Sequence, residues 1–255
     1  MEGSQGSPSP IDGAAPAARL DGTAPTVRLD GAVRLARLSE EIVSCRACPR
    51  LVAWREQVAV EKRAAYRDET YWGRPVTGFG DPQARIVVVG LAPAAHGGNR
   101  TGRVFTGDRS GDWLFAALHR AGLANQATSV SIDDGLALRG AWVGAAVRCA
   151  PPANKPTPSE RDRCIGFLVR ELDALIEARV IVALGRFAYD IVTRLLNIRP
   201  RPAFGHGAQA TAPSGMVVVA SYHPSQQNTF TGMLTEPMLD AVFSRSVELA
   251  GLADA

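Results

Sequence analysis

Lysine is almost missing from this chain. Only Lys62 and Lys155 occur among its 255 residues, so arginine carries nearly all of the positive charge. Arginine suits bidentate contact with phosphate, but the same bias also follows from genome base composition, so it decides nothing alone. The net charge of +3 is only weak support for an anionic partner. No apolar run reaches the ~18 residues that suggest a membrane span. The first residues, MEGSQGSPSP, lack the charged and apolar regions of a signal peptide, and a cytoplasmic protein is expected. Large apolar residues are rare before residue 35, where Gly, Ala, Pro and Ser dominate. Such a segment buries too little surface to order itself, so residues 1–35 are expected to be a disordered tail and 36–255 one domain.

What is present centres on residues 84–113, ARIVVVGLAPAAHGGNRTGRVFTGDRSGDW. The run Ile86-Val87-Val88-Val89 reads as a strand buried on both faces. A long loop of small residues follows, from Gly90 to Gly111, and then an apolar helix pattern. It contains Asp108, His96 and Phe105, and it offers neither G-x-G-x-x-G nor a Walker-A lysine, which counts against nucleotide binding. Open α/β sheets place their sites on loops at the carboxyl ends of parallel strands. The plain alternative is an ordinary long connection, although loops this long are usually functional or disordered.

The rest of the chain alternates. Helical patterns cover about 34–45 and 51–67, and Trp113 to Gly122 reads as a helix. Further strands are expected at 141–147, 180–184 and 216–220, with helices over about 160–178, 185–196 and 235–250. Ser159 with Asp162 looks like a partial capping box. Strands alternating with helices imply an α/β fold with a parallel sheet covered on both faces.

The four cysteines are Cys45, Cys48, Cys149 and Cys164. Structural disulfides are rare in a cytosolic chain, so metal binding is the better reading. Thiolates select zinc or an iron–sulfur cluster. The unequal C-x2-C and C-x14-C spacing leans away from a zinc ribbon, while buried free thiols stay open as the bland alternative. His223 ends the fourth strand in His223-Pro224-Ser225, where proline stiffens the loop, and Asn228 follows five residues on. His223 reads as a site residue or a structural one, and Asn228 as a crevice residue or a helix cap. His206 reads as a surface-loop residue, and His96 stays undecided.

Taken in order, Cys45-x-x-Cys48, Gly90-Leu91-Ala92-Pro93-Ala94, Gly102-Arg-Val-Phe-Thr-Gly-Asp108, Arg148-Cys149-Ala-Pro-Pro, Cys164 and His223-Pro-Ser225 resemble the uracil-DNA glycosylase superfamily. They are most similar to its family 5, the type-B enzymes with an iron–sulfur cluster, over about residues 40–250. The resemblance implies a three-layer α/β/α sandwich around a four-stranded parallel sheet. It implies a 4Fe-4S cluster on Cys45, Cys48, Cys149 and Cys164, and a monomer that excises uracil and other damaged bases from DNA without cutting the strand. By position, Phe105 matches the aromatic that stacks on a flipped base, Asp108 the loop acid, His223 the histidine beside the leaving base, and Asn228 a downstream asparagine. Gly90, Leu91, Ala92, Pro93, Ala145 and Ser225 fall on substrate-binding positions. Two departures from the related family 4 stand out. Leu91 replaces an acid or amide, and Ala145 replaces an asparagine that reads the uracil edge. Losing an edge-reading amide removes hydrogen bonds that reject other bases, so a broader substrate range is expected. The rival reading is a cluster-bearing nucleic-acid binder without catalysis, which would need neither Asp108 nor His223.

Overall fold

A computed structural model describes residues 30–253. Most of the expected tail lies outside those residues. Helix α1 (Gly31–Ser44) already begins at Gly31, so residues 31–35 belong to the folded domain; Leu35, Leu38 and Ile42 form its buried stripe. Next comes α2 (Pro49–Glu61), with Pro49 in the first turn, where its missing N–H is harmless. The order continues β1 (Phe79–Gly80), β2 (Ile86–Gly90), α3 (Gly98–Thr101), α4 (Arg109–Arg120), β3 (Ala141–Ala145), α5 (Pro158–Ala174) and β4 (Val180–Leu184). It ends with α6 (Arg186–Leu195), β5 (Gln209–Thr211), β6 (Val217–Ser221), α7 (Gln226–Phe230) and α8 (Glu236–Leu249).

Among the described residues the sheet has six strands in the order β1-β3-β2-β4-β6-β5. The four expected strands form its parallel middle. The expected four-stranded parallel sheet is therefore corrected to a six-stranded mixed one, because β1 and β5 add antiparallel edges. These edges are two and three residues long, too short to leave a periodicity in sequence. Ile86, Val88, Val143, Val182 and Val219 face α4 and α8. Val87, Val89, Ile181, Ala183 and Val218 face α1, α5 and α6. Burial on both faces is why the strands are continuous apolar runs, each full-sized aliphatic side chain contributing roughly 1.5–3 kcal/mol. The capping box of α5 pairs Thr157 with Glu160, not Ser159 with Asp162, because Pro158 sets the first turn two residues earlier than expected.

From β2 the chain passes through α4 to β3 on one side. From β4 it passes through α6 to β6 on the other. The carboxyl ends of β2 and β4 therefore border the crevice where such sheets bind ligands. No helix among the described residues is long and apolar enough to cross a membrane.

Candidate active site

At the head of β2, Gly90 lies beside Ala145, the last residue of β3. A methyl on Gly90 would sit 2.6 Å from Cζ of Phe105, so the missing side chain is what lets this ring lie against the end of the strand. Phe105 is buried and has φ of 52°, the left-handed region that costs a bulky residue about 1–3 kcal/mol. Its surroundings hold it there. Thr106 is bonded to Ser129 at 2.7 Å and receives Arg103 Nε at 2.9 Å. Arg103 is itself buried, paired with Asp134 at 2.7 Å, and it holds the Asp134 carboxyl down at about 2 together with backbone N–H groups.

Asp108 is the N-cap of α4, with Oδ1 accepting from the Gly111 amide at 3.0 Å. Its second oxygen faces Gly97, where a methyl would approach Oδ2 to 2.0 Å. Burial pushes the Asp108 carboxyl above its ordinary range, and the amides of Gly111 and Ser110 pull it back only in part. Arg100 ties the two ends of the loop together. It donates to the His96 carbonyl and to the Gly107 carbonyl at 2.8 Å each, beside the Asp108 turn.

From the far side His223 completes the crevice. Its ring centroid is 5.9 Å from that of Phe105, with the planes tilted by 34°. Burial alone lowers the imidazole to about 4, so it is neutral at physiological pH. Gly185, just after β4, makes room for it: a methyl there would touch His223 Cβ at 3.3 Å. Asn228 does not project freely into the crevice. Its Nδ2 donates to the His223 carbonyl at 2.9 Å and so fixes the loop that carries the imidazole. Ser225 caps α7 by accepting from the Asn228 amide. His206 bridges the Met238 carbonyl and the Tyr222 amide, which makes it a structural residue. His96 is held by the Tyr71 hydroxyl at 3.0 Å, and burial lowers its pKa.

The remaining expected residues divide. Gly90 and Ala145 stand at the crevice with Phe105, and Ala145 and Phe105 lie on the α4 side of the sheet. Leu91 extends the ladder by accepting from the Val147 amide at 2.9 Å. Ala92 instead packs with Cys48 and Cys164 around Leu51, and Pro93 packs under Gly98. A cleft of about 990 Å3 lies between α1, α2 and Tyr71–Arg74 and contains neither Asp108 nor His223.

Cys45, Cys48, Cys149 and Cys164 line one pocket, walled by Leu51 and Pro75. Burial raises the thiols of Cys48, Cys149 and Cys164, the last to about 12. Cys149 Sγ accepts from Arg55 at 2.9 Å, and Cys164 Sγ from the Arg148 amide at 3.2 Å. Among the described residues no group of three or more His, Cys, Asp or Glu side chains could hold one metal ion. Four thiols converging on one apolar-walled pocket are a donor set that suits a thiophilic metal centre.

Sequence reasoning passed over the residues at the crevice mouth. Arg109 lies 4.3 Å from the ring of Phe230, which is 63% exposed, and Met233 nearby is also exposed. Arg186 begins α6 at the end of β4 and is exposed too. The only signal in sequence was their place just after site motifs.

A model of the uracil DNA glycosylase superfamily matches residues 77–245. The chain is 54% identical over 211 residues to a type-5 uracil-DNA glycosylase of Mycobacterium tuberculosis, covering 82% of this chain and 79% of that one. It is 52% identical over 214 residues to a type-5 uracil-DNA glycosylase of Thermus thermophilus, covering 84% and 97%. A type-4 uracil-DNA glycosylase of Archaeoglobus fulgidus is 31% identical over 159 residues, 62% of this chain and 63% of that one. The names say type 5 and do not carry the type-B label.

Proposed function

We propose that this chain, which belongs to the uracil-DNA glycosylase superfamily, hydrolyses the N-glycosidic bond of uracil and other deaminated or modified bases in DNA. The observation that carries this reading is the pairing across one crevice of a strained, buried aromatic, three residues before a half-buried carboxylate, with the His223 imidazole. A base within a duplex must be flipped out to be reached, at a cost of a few kcal/mol. Stacking on Phe105 returns roughly 1–3 kcal/mol of that. Asp108 stabilises the oxocarbenium-like sugar or orients the attacking water, as carboxylates do in sugar hydrolysis. The neutral His223 donates a hydrogen bond to the oxygen of the departing base, and Asn228 holds its backbone for that purpose. Arg109 and Arg186 contact phosphates at the mouth, and exposed Phe230 is placed to press on the opened stack.

The breadth of substrate rests on Ala145. It is buried at the crevice and offers no donor or acceptor to a base edge. Leu91 likewise supplies no polar side chain. We further propose that Cys45, Cys48, Cys149 and Cys164 hold a 4Fe-4S cluster. Its part would be structural, stapling α1 and α2 to the loop after β3 and to α5.

The test is excision by purified protein from duplexes carrying uracil, hypoxanthine or a thymine mismatch, with the abasic product revealed by alkali. Uracil and hypoxanthine should both be released. Tight binding without an abasic product would favour the non-catalytic cluster protein instead. Release of uracil alone would refute the broad range.

A further inference from the structure

Two buried side chains unused by the chemistry above join the cysteine pocket to the loop that carries Asp108. Arg55, on α2, is 2% exposed. Its Nη1 donates to Cys149 Sγ at 2.9 Å, and both Nη atoms reach the Cys45 carbonyl at 3.3 Å. The Glu56 carboxylate is 3.9 Å away and 43% exposed. A buried guanidinium is costly without a close negative partner, and a neutral thiol is only a weak acceptor. A metal-bound thiolate supplies the missing charge. The backbone of the same residue reaches the other way. Asn99 is fully buried, and its Nδ2 donates to the Arg55 carbonyl at 3.2 Å and the Ala95 carbonyl at 3.4 Å. The Asn99 amide donates to the Ala94 carbonyl at 3.0 Å, and its own carbonyl accepts from Gly73 at 3.0 Å. Between Ala95 and Asn99 lies Gly97, whose hydrogen is all that fits against Oδ2 of Asp108.

We propose that Arg55 and Asn99 are positioning residues that couple the cysteine-held cluster to the catalytic loop. Arg55 balances the charge of the Cys149 thiolate, and its carbonyl anchors Asn99, which fixes the 94–99 turn against Asp108. The inference rests on the cluster and glycosylase readings above. Interactions of this kind orient primary ligands and tune metal centres, and their loss commonly costs 10- to 100-fold.

The test uses the iron-loaded full chain and reads cluster potential, deuterium exchange at residues 94–101 and single-turnover excision. Arg55→Met removes the cation and should lower the midpoint potential, because the more negative reduced state loses its partner. It should also speed iron loss to a chelator and exchange at 94–101. Arg55→Lys keeps the charge and should bring the potential back towards wild type. Asn99→Ser should leave iron content and potential alone, yet speed exchange at 94–101 and slow excision roughly 10- to 100-fold with DNA affinity unchanged. If Arg55→Met does not fold, the other two variants decide. Wild-type exchange and rate in Asn99→Ser, or a wild-type potential in folded Arg55→Met, overturns the coupling. In the absence of Arg55→Met, an Arg55→Lys potential more than slightly lower than wild type overturns the charge argument. A wild-type chain without iron overturns the proposal together with the cluster reading. A wild-type chain that holds iron but excises nothing defeats only the functional reading, since exchange and potential still decide the coupling.

Discussion

Replacing Asp108 by asparagine removes a charge and keeps a helix cap. Asparagine accepts the Gly111 amide as well as aspartate does, so α4 should keep its first turn. Two effects remain, with opposite consequences. The first is kinetic. A sugar cation developing about 4 Å from a carboxylate, at an effective dielectric of about 20, is attracted by about 4 kcal/mol. Since 1.36 kcal/mol is a factor of ten, that amounts to roughly 10³ in rate, within the range of about 10²–10⁴ for a positioned acid–base group. The attraction appears only as charge develops, so the chemical step should slow while DNA binding holds or tightens. The second effect is on stability. Burial raises the folded-state pKa of Asp108, so the folded state binds the proton more tightly than the unfolded one. The stability this lends is fully present below the unfolded value of 3.8 and is lost as pH rises through the raised folded value. At pH 7 the ionised group is therefore a net cost, and Asp108→Asn should unfold at higher urea than wild type. That advantage should shrink as pH falls towards 3.8. The assay pairs single-turnover excision with urea melts at both pH values. A full-rate variant would falsify the catalytic role and leave only the cap, and a variant less stable at pH 7 would refute the burial argument.

Three further outcomes follow from the same geometry. Iron analysis of anaerobically purified protein should find iron and no zinc, and Cys45→Ala should damage folding more than the chemistry of whatever folds; zinc without iron sinks the cluster. Ala145→Asn should shift excision towards uracil, because an amide beside Gly90 can read the base edge, and an unchanged ratio of uracil to hypoxanthine in a folded variant removes Ala145 from the pocket. His223 has a folded value of about 4 against 6.5, so its neutral form is favoured on folding and stability is lost as pH falls from 6.5 to about 4. That loss is at most about 3 kcal/mol, less for the ring's partial exposure, and His223→Gln should show a smaller drop in urea midpoint over this range. Equal drops would show that His223 is not held neutral by burial.

The parallel middle of the sheet was legible because each strand is a short apolar run buried on both sides. The edges were not, because Phe79–Gly80 and Gln209–Thr211 are too short to carry a period. The apolar pattern of α4 starts only at Trp113, but the helix opens at Arg109 because Asp108, directly before the expected start, caps its first turn. Gly31 was read into the tail because α1 opens with small residues, although its stripe of Leu35, Leu38 and Ile42 is regular. Asp108 and Phe105 stood out as motif residues of the long loop after β2, and His223 as one just after the end of β6. The work of Asn228 did not, because a bond from its side chain to the His223 carbonyl leaves no trace in spacing. Arg55, Arg100 and Arg103 were invisible for the same reason. In sequence they are three of many arginines, and only burial separates them from the solvated ones.

Two of those arginines, Arg103 and Arg100, explain how the loop can hold unfavourable features. The left-handed backbone of Phe105 and the desolvation of the Asp108 carboxylate both raise the energy of the folded chain, although the ring packs in the core and the carboxylate caps α4. They persist because the segment around them is over-determined. Arg103 fixes Thr106, next to Phe105, and is itself fixed by Asp134 and Ser129. Arg100 fixes Gly107, next to Asp108, while its guanidinium lies 4.0 Å from the ring of Tyr66 and pairs with Glu69. Each cation thus reaches the residue beside Phe105 or Asp108 and not that side chain itself. Breaking a buried pair from one side leaves an uncompensated charge, so these supports fail abruptly and not by degrees. In the reaction proposed above, a loop built this way would keep its shape as a base enters, so that the cost of aiming Phe105 and Asp108 falls on folding and not on the chemical step.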